Sequence, residues 1–592
     1  MGMTAFTLDF FCEASHTSPA LKACRVLVDP AQVSDSYDFV IIGAGTAGNV
    51  LANRLSESSK DRVLVIEAGI SNAGIQDIIV PFLGLQASPD KPWTWNYTTT
   101  PQIGLNNRSI AYPRGNLMVY TRGSSDDWDR YALVTGNKGW SWAALQPYIK
   151  KSEHFMQSAD HHNTTGQFDP VFHGFNGPLL VSLPGYPVGL DSRVIQTTAE
   201  LEEFPFNLDM NSGNTLGIGW TQSTIGNSAR CSSAIGYLMP ILNRPNVDVL
   251  IQTHATRLLH KPMSHRGIPH FYAVEFAQNL EGRRYHVKAK KEIILSAGSI
   301  NTPQLLMLSG IGDQSELSKF NIETVIDLPS VGRNLTDHPI FATQWDVVGT
   351  THTFEDAEQN PAVAAAQLAQ WTTNGTGPLV NGPSSQIGWL RLPSNSSIFT
   401  NLTDPSAGPT SGHFELLFSN GFSSFIGPPP STGRYMTILS TVASPTSRGT
   451  VTLQSKNPFD APLIDPRSLT TEYDLFVMKE AARSARRFVT APIWTDYVVA
   501  PFGNQGNITT NEADFEFFIR NTTATEFHPA GTASMSPFGA SWGVLDPNLM
   551  VKGAKGLRVV DASIFPYLPA AHPQAAVYIA AEYAADLIKS SH

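Results

Sequence analysis

Two histidines near the C-terminal end, His528 in Phe527-His528-Pro529 and His572 in Ala571-His572-Pro573, are well suited to moving a proton near neutral pH. A second constellation lies at the opposite end of the chain. The strand-like run Tyr37 to Ile42 flows into Gly43-Ala44-Gly45-Thr46-Ala47-Gly48. Glycines there let the backbone turn tightly and approach a pyrophosphate at the N-terminus of the next helix, where free N–H groups and the helix dipole favour negative charge. Arg62-Val63-Leu64-Val65-Ile66-Glu67 then supplies a second strand ending in an acid. Glu67 lies 24 residues beyond Gly43, close to the roughly 20 expected for a ribose-binding carboxylate. Strand, glycine turn, helix, strand and acid in that order predict a dinucleotide-binding α/β unit, and the fingerprint alone does not separate FAD from NAD.

The elements that must position these residues are readable in outline. Val247 to Gln252 and Glu292 to Ser296 are further buried-strand candidates, and the opening 35 residues read as a tail. Glu472 to Phe488 is an amphipathic helix with Leu475, Met478, Ala482, Ala485 and Phe488 on its apolar side. Leu557-Arg558-Val559-Val560 reads as a short buried strand ending in Asp561, followed after Pro566 and Pro569 by a helix from about Gln574 to Ile588. This stretch reads as a return to the nucleotide domain. A carboxylate just past a strand end sits where open α/β sheets bind ligands. His572 falls at the N-terminus of the last helix, where a solvent-bonded structural histidine is the other role open to it.

Composition removes several classes. A length of 592 residues allows two or more cores, and 42% apolar with 15% charged residues is ordinary for a globular chain. A net charge of −10 without a basic stripe argues against a nucleic-acid partner. No run of 18 apolar residues exists, which excludes a membrane-spanning helix. Met1 to Ala14 lacks the charged start and apolar centre of a secretory signal. Yet Asn-x-Ser/Thr sequons stand at Asn96, Asn107, Asn163, Asn334, Asn374, Asn395, Asn401, Asn507 and Asn521. That number favours a secreted, extracellular protein whose signal region is incomplete in this chain. Cys12, Cys24 and Cys231 cannot form a disulfide framework, although Cys12 and Cys24 could pair. No Cys/His spacing suits zinc, so no metal ligands are assigned, and His154, His161 and His162 read as polar-loop residues. Gly539-Ala540-Ser541-Trp542-Gly543 lacks the strand-turn-helix setting of a nucleophile elbow.

From Tyr37 to Ile588 the chain resembles the glucose-methanol-choline (GMC) family of FAD-dependent oxidoreductases. The segment from Gly298 to Gly312 (Gly-Ser-Ile-Asn-Thr-Pro-Gln-Leu-Leu-Met-Leu-Ser-Gly-Ile-Gly) fits the second family signature at every defined position. Val331-Gly332-Arg333-Asn334-Leu335 with Asp337-His338-Pro339, Phe527-His528-Pro529 with Gly531-Thr532, and Val559-Val560-Asp561-Ala562-Ser563 are similar to other family blocks. His572, where choline-oxidase-like members carry Asn, places the chain with the paired-histidine subgroup. Ser444-Pro445-Thr446-Ser447-Arg448-Gly449 and the segment Gly539 to Val544 are most similar to fungal aryl-alcohol oxidases, with pyranose dehydrogenases close behind.

The resemblance implies an α/β fold: a Rossmann-like FAD-binding domain with a discontinuous α+β substrate-binding domain. It divides the chain into a tail (1–35), an N-type FAD-binding region (36–340), a substrate-domain segment (341–445) and a C-type region with the histidines (446–588). It implies oxidation of a small-molecule alcohol, His528 acting as base and His572 orienting the substrate, with oxygen or a quinone as final acceptor and a monomeric state. Cofactor contacts are expected at Gly43, Gly45, Thr46, Ala47, Gly48, Glu67, Ala68, Asn116, Ala255, Asp561, Ala562 and Gln574. Phe527 and Phe422 are the expected aromatic substrate contacts, with core packing an equal rival for Phe422. Glu526 departs from the apolar residue usual before Phe527; a carboxylate there suits a polar substrate, or else faces solvent. The first family signature is broken, because Pro113-Arg114-Gly115 joins Asn116-Leu117-Met118-Val119 without the usual Gly-Gly-Ser-Ser loop, about nine residues that can span roughly 30 Å. Losing three or four backbone hydrogen bonds to the cofactor would cost on the order of 2 to 6 kcal/mol, so weakened flavin binding is expected.

Overall fold

The computed structural model describes residues 26–114, 118–262, 267–508 and 511–592. Asn116, the join at Gly115 and the Cys12–Cys24 pair lie outside the described residues. The nucleotide unit is built on strands of β-branched and aromatic residues with both faces covered: Tyr37, Val40 and Ile41 in Ser36–Ile42, and Val63, Leu64 and Val65 in Val63–Ile66, are all fully buried. Such near-continuous apolar runs belong to parallel strands covered by helices. The sheet runs in the order Val26–Leu27, Val247–Leu250, Val63–Ile66, Ser36–Ile42, Tyr285–Leu295, Phe271–Ala277, His254–His260, with Leu557–Val559 also pairing with Tyr285–Leu295. Every pairing is parallel except the two that join the Tyr285, Phe271 and His254 strands. The tail expected to reach residue 35 is therefore shorter: Val26 and Leu27 pair with Val249 and Leu250 and extend the sheet.

A second sheet is antiparallel, in the order Ser384–Leu390, Phe414–Ser419, Tyr435–Val442, Pro339–Val347, Val498–Pro501, with Ala524–Thr525 paired to the start of the Pro339 strand. The amphipathic helix Glu472–Phe488 covers it, burying Val477, Met478, Ala482, Ala485 and Phe488. The substrate-side sheet thus takes strands from segments separated by up to a hundred residues and more. The last part of the chain then goes back to the first sheet through Leu557–Val559 and the helix Gln574–Ser590.

The glycine turn is required by packing. Gly43 has φ +103°, and a Cβ there would lie 2.4 Å from the carbonyl oxygen of Ser296; one on Gly48 would lie 1.9 Å from the carbonyl oxygen of Gly43. Only hydrogen fits at either place, so helix Thr46–Leu55 can start directly against the sheet. Gly43→Ala combines this clash with a left-handed backbone, for which strain of about 1–3 kcal/mol is expected. Denaturant unfolding should show at least that loss.

Candidate active site

The histidines are placed by the seam between the two sheets. Ala524 and Thr525 pair with Ile340 and Pro339, so the residues after one strand lie beside those before the other. There the buried carboxylate of Asp337 accepts the backbone N–H of His338 at 2.9 Å and that of His528 at 2.8 Å through one oxygen, while the Thr525 hydroxyl donates to the other. Phe527 adopts φ +63°, a left-handed conformation uncommon for an aromatic residue. It is held by its N–H to Thr525 Oγ1 (2.8 Å) and by Arg114, which donates to its carbonyl (3.0 Å). His572 comes from the far end of the chain, its N–H donated to Thr121 Oγ1 at 2.8 Å, just before the helix Gln574–Ser590.

The two rings meet edge to face, with centroids 4.8 Å apart and an interplanar angle of 75°. Around them lies a buried polar cluster. His338 Nδ1 is 3.0 Å from His528 Nδ1, and His338 Nε2 is 3.1 Å from the Ala443 carbonyl. Glu415, in the strand Phe414–Ser419, places Oε1 3.0 Å from His572 Nε2. Glu526 lies between the rings, Oε1 3.4 Å from His572 Nε2 and Oε2 3.5 Å from His528 Nδ1. The solvent-facing alternative for Glu526 is thereby excluded: it is 6% exposed, and His338, His528, His572 and Glu415 are 0 to 3% exposed. Among the described residues, His528 Nε2 and His572 Nδ1 have no hydrogen-bond partner.

Burial dominates the electrostatics. Desolvation, then the neighbouring His572 and His338, holds His528 well below the usual imidazole range. Desolvation also lowers His572, and lowers His338 to about 3. The same cost pushes Glu415 up to about 8, and burial together with Glu415 raises Glu526 well above the carboxylate range. At neutral pH the three imidazoles are therefore neutral, and Glu415 is protonated.

The glycine turn, Glu67 and Asp561 follow the C-terminal ends of the parallel strands Ser36–Ile42, Val63–Ile66 and Leu557–Val559. Gly43, Gly45, Thr46, Ala47 and Gly48 form the turn and first helical residues; Gly45 is exposed, and no side chain caps the helix N-terminus. Glu67 Oε2 accepts from Ala44 N–H and Oε1 from Gly69 N–H, both at 2.6 Å, so the acid and Ala68 lie against the turn. Ala255, opposite Phe276, is half-buried, as are Ala562 and Gln574. Asp561 is committed within the protein: it accepts from Gly298 N–H (2.9 Å) and Thr302 Oγ1 (2.6 Å) at the start of helix Gly298–Leu308 and from Ser563. Phe422 is not brought to the histidines. Its ring packs edge-on against Tyr435 and Phe502, and the strand from Glu415 to Ser419, about 13 Å long, stands between. Phe422 is half-buried in that aromatic group. Sequence reading missed His338 as a site residue, and missed Glu415, whose signal was a lone carboxylate in the apolar run Phe414 to Phe418.

Family models described as GMC oxidoreductase match residues 37–340 and 445–581. The chain is 40% identical to a pyranose dehydrogenase of Agaricus campestris over 94% of each protein. Among solved structures, a formate oxidase superposes with a TM-score of 0.86 at 28% identity, covering 95% of this chain and 99% of that one. A fungal aryl-alcohol oxidase does so at 0.80 and 26%, covering 94% and 100%. The chain belongs to the GMC oxidoreductase family. It is an FAD-dependent oxidoreductase acting on CH–OH groups. The residues present fit that cofactor at both ends: an uncapped helix start behind a glycine cradle suits its pyrophosphate, and two orphaned imidazole nitrogens mark where reacting groups enter.

The Asp337 bracket is open to direct test. Asp337→Ala strands two buried N–H donors, at about 1–3 kcal/mol each, whereas Asp337→Asn keeps an acceptor oxygen. Thermal unfolding should rank wild type above Asn and Asn well above Ala.

Proposed function

We propose that the protein is a sugar dehydrogenase that oxidises a hydroxyl-bearing carbon of a pyranose, with His528 as general base and His572 as the group that orients the substrate oxygen. The observation that carries this reading is the pair of buried carboxylates, Glu415 and Glu526, beside the histidines. They make the site polar where an aryl alcohol would call for apolar walls, and the ring of Phe422, the second aromatic of that alternative, packs on Tyr435 and Phe502. Identity to pyranose dehydrogenases across nearly the whole chain supports the same choice, and favours a quinone-type acceptor over oxygen. Exposure of Asn96, Asn107, Asn163, Asn374, Asn395 and Asn401 supports secretion and N-glycosylation; Asn334 instead donates its amide to Ser534 and to the Pro566 carbonyl.

The glycine turn, Glu67 and the residues around Ala562 and Gln574 would hold FAD, which when bound would supply the hydride acceptor. The protein's own part is proton handling, and its hydrogen bonds set the direction. The Ala443 carbonyl can only accept, so His338 carries its proton on Nε2 and offers a lone pair at Nδ1. His528 therefore donates from Nδ1, which leaves its Nε2 unprotonated, buried and free to take the substrate hydroxyl proton. On the other side a protonated Glu415 donates to His572 Nε2, so His572 carries its proton on Nδ1 and can donate to the substrate oxygen. The pair thus offers one acceptor and one donor nitrogen for a substrate hydroxyl.

His528→Ala should lower kcat/KM by about 10²–10⁴ with folding intact. Assays with pyranoses and benzylic alcohols, each with oxygen and with a quinone, test the substrate class; faster turnover of benzylic alcohols with oxygen would reverse the assignment. The pH profile follows from the protonation states. Because His528 is held below the usual imidazole range, activity persists below pH 6.5 rather than falling there. Because Glu415 ionises near 8, it then accepts from His572 Nε2 and removes the donor from Nδ1, so kcat/KM falls above that pH. Glu415→Gln, whose amide donates at every pH, should abolish this alkaline limb.

A further inference from the structure

The proton relay does not account for Glu526. Its polar neighbours besides the imidazoles are the Thr441 hydroxyl and a second buried acid, Glu415, and neither supplies a counter-charge. Among the described residues the groups at ion-pair distance from either acid are imidazoles only. Arg114, whose charge is felt at His528, is committed to the Phe527 carbonyl. A carboxylate taken out of water without a counter-charge is costly, and the ways to relieve it are a proton or a cation. The donors converging on Glu526 are those a transition-metal ion prefers.

We propose that His338 Nδ1, His528 Nδ1 and Glu526 Oε2 form a binding site for a divalent late transition-metal cation such as Zn²⁺, and that its occupation switches off alcohol oxidation. The three atoms stand 3.0, 3.5 and 3.9 Å apart. Tetrahedral zinc with bonds of about 2.0–2.1 Å holds its ligand atoms about 3.3–3.4 Å from one another, so shifts of a few tenths of an ångström close the site. Two neutral imidazoles and a carboxylate are a ligand set that zinc accepts, with water completing the fourth position. The outer shell is already present: His338 donates Nε2–H to the Ala443 carbonyl, which aims its Nδ1 lone pair at the site. Binding replaces the His528–His338 hydrogen bond: the proton on His528 Nδ1 is displaced to Nε2, and any proton on Glu526 leaves to solvent. The link to activity rests on the reading of His528 as base. With Nδ1 on the metal, the imidazole's proton moves to Nε2 and the base is lost.

The experiment uses the FAD-loaded full chain, stripped by chelator and desalted, then titrated with Zn²⁺ against a zinc-binding dye while alcohol oxidation is assayed over the same range. One Zn²⁺ per chain is expected, with loss of activity in step with occupancy, recovery on adding chelator, and no effect of Mg²⁺. His338→Ala and Glu526→Gln should each weaken binding by about a hundredfold or more. Co²⁺ bound to the unmodified chain should show the intense visible bands of a four-coordinate nitrogen and oxygen site, which tests the ligand set even if a variant fails to fold. Absence of saturable Zn²⁺ binding, or binding unchanged in both variants, would overturn the site. Saturable binding with full activity retained would leave the site standing and overturn His528 as the base.

Discussion

The carboxylate of Asp337 is the constraint on which the arrangement of the histidines depends. It sits where the chain leaves the nucleotide unit for the antiparallel sheet, and one of its oxygens holds the backbone of both His338 and His528. Backbone hydrogen bonds to one buried acceptor fix the two Cα positions relative to each other, and the facing Nδ1 atoms follow. The strained backbone of Phe527 fits the same picture: a φ of +63° persists because Thr525 and Arg114 hold both of its peptide groups. His572 is positioned independently, by Thr121 and by the helix that returns to the first sheet. The site is thus where two separately built cores meet, and its geometry depends on how they dock.

What could be read from the amino-acid sequence was what depends on neighbours along the chain. The glycine turn was legible because much of what it demands is local: a positive φ at Gly43 and, at Gly48, no room for a Cβ beside the Gly43 carbonyl. Helix Glu472–Phe488 was legible because its apolar period of 3.6 needs only itself to be seen, and its bounds came out as expected. Both conditions fail for the residues around the histidines. Glu415 reaches His572 because its strand pairs with Tyr435–Val442, opposite Thr441, and no spacing in sequence reports that register. The place of Phe422 against Tyr435 and Phe502, beyond the end of the same strand at Ser419, is equally invisible in the spacing. Val26–Leu27 was too short for any periodicity to show and is a strand only because Val249 and Leu250 offer an open edge.

Burial sets the chemistry more firmly than residue identity does. Histidine in water titrates close to neutrality, and on that ground alone either ring could be an acid or a base. Desolvation removes the ambiguity by holding all three imidazoles neutral, and it lifts the carboxylates until Glu415 keeps its proton at neutral pH. Neutral rings must then be told apart by tautomer, and tautomers are dictated by partners that can only accept or only donate. In the proposed reaction the Ala443 carbonyl at one end and the protonated Glu415 at the other leave His528 with an acceptor nitrogen and His572 with a donor. An apolar site could hold the same two rings at the same distance without assigning either of them a direction. It is the carboxylate buried in the second sheet, outside every motif of the nucleotide unit, that turns a symmetrical pair into a donor and an acceptor.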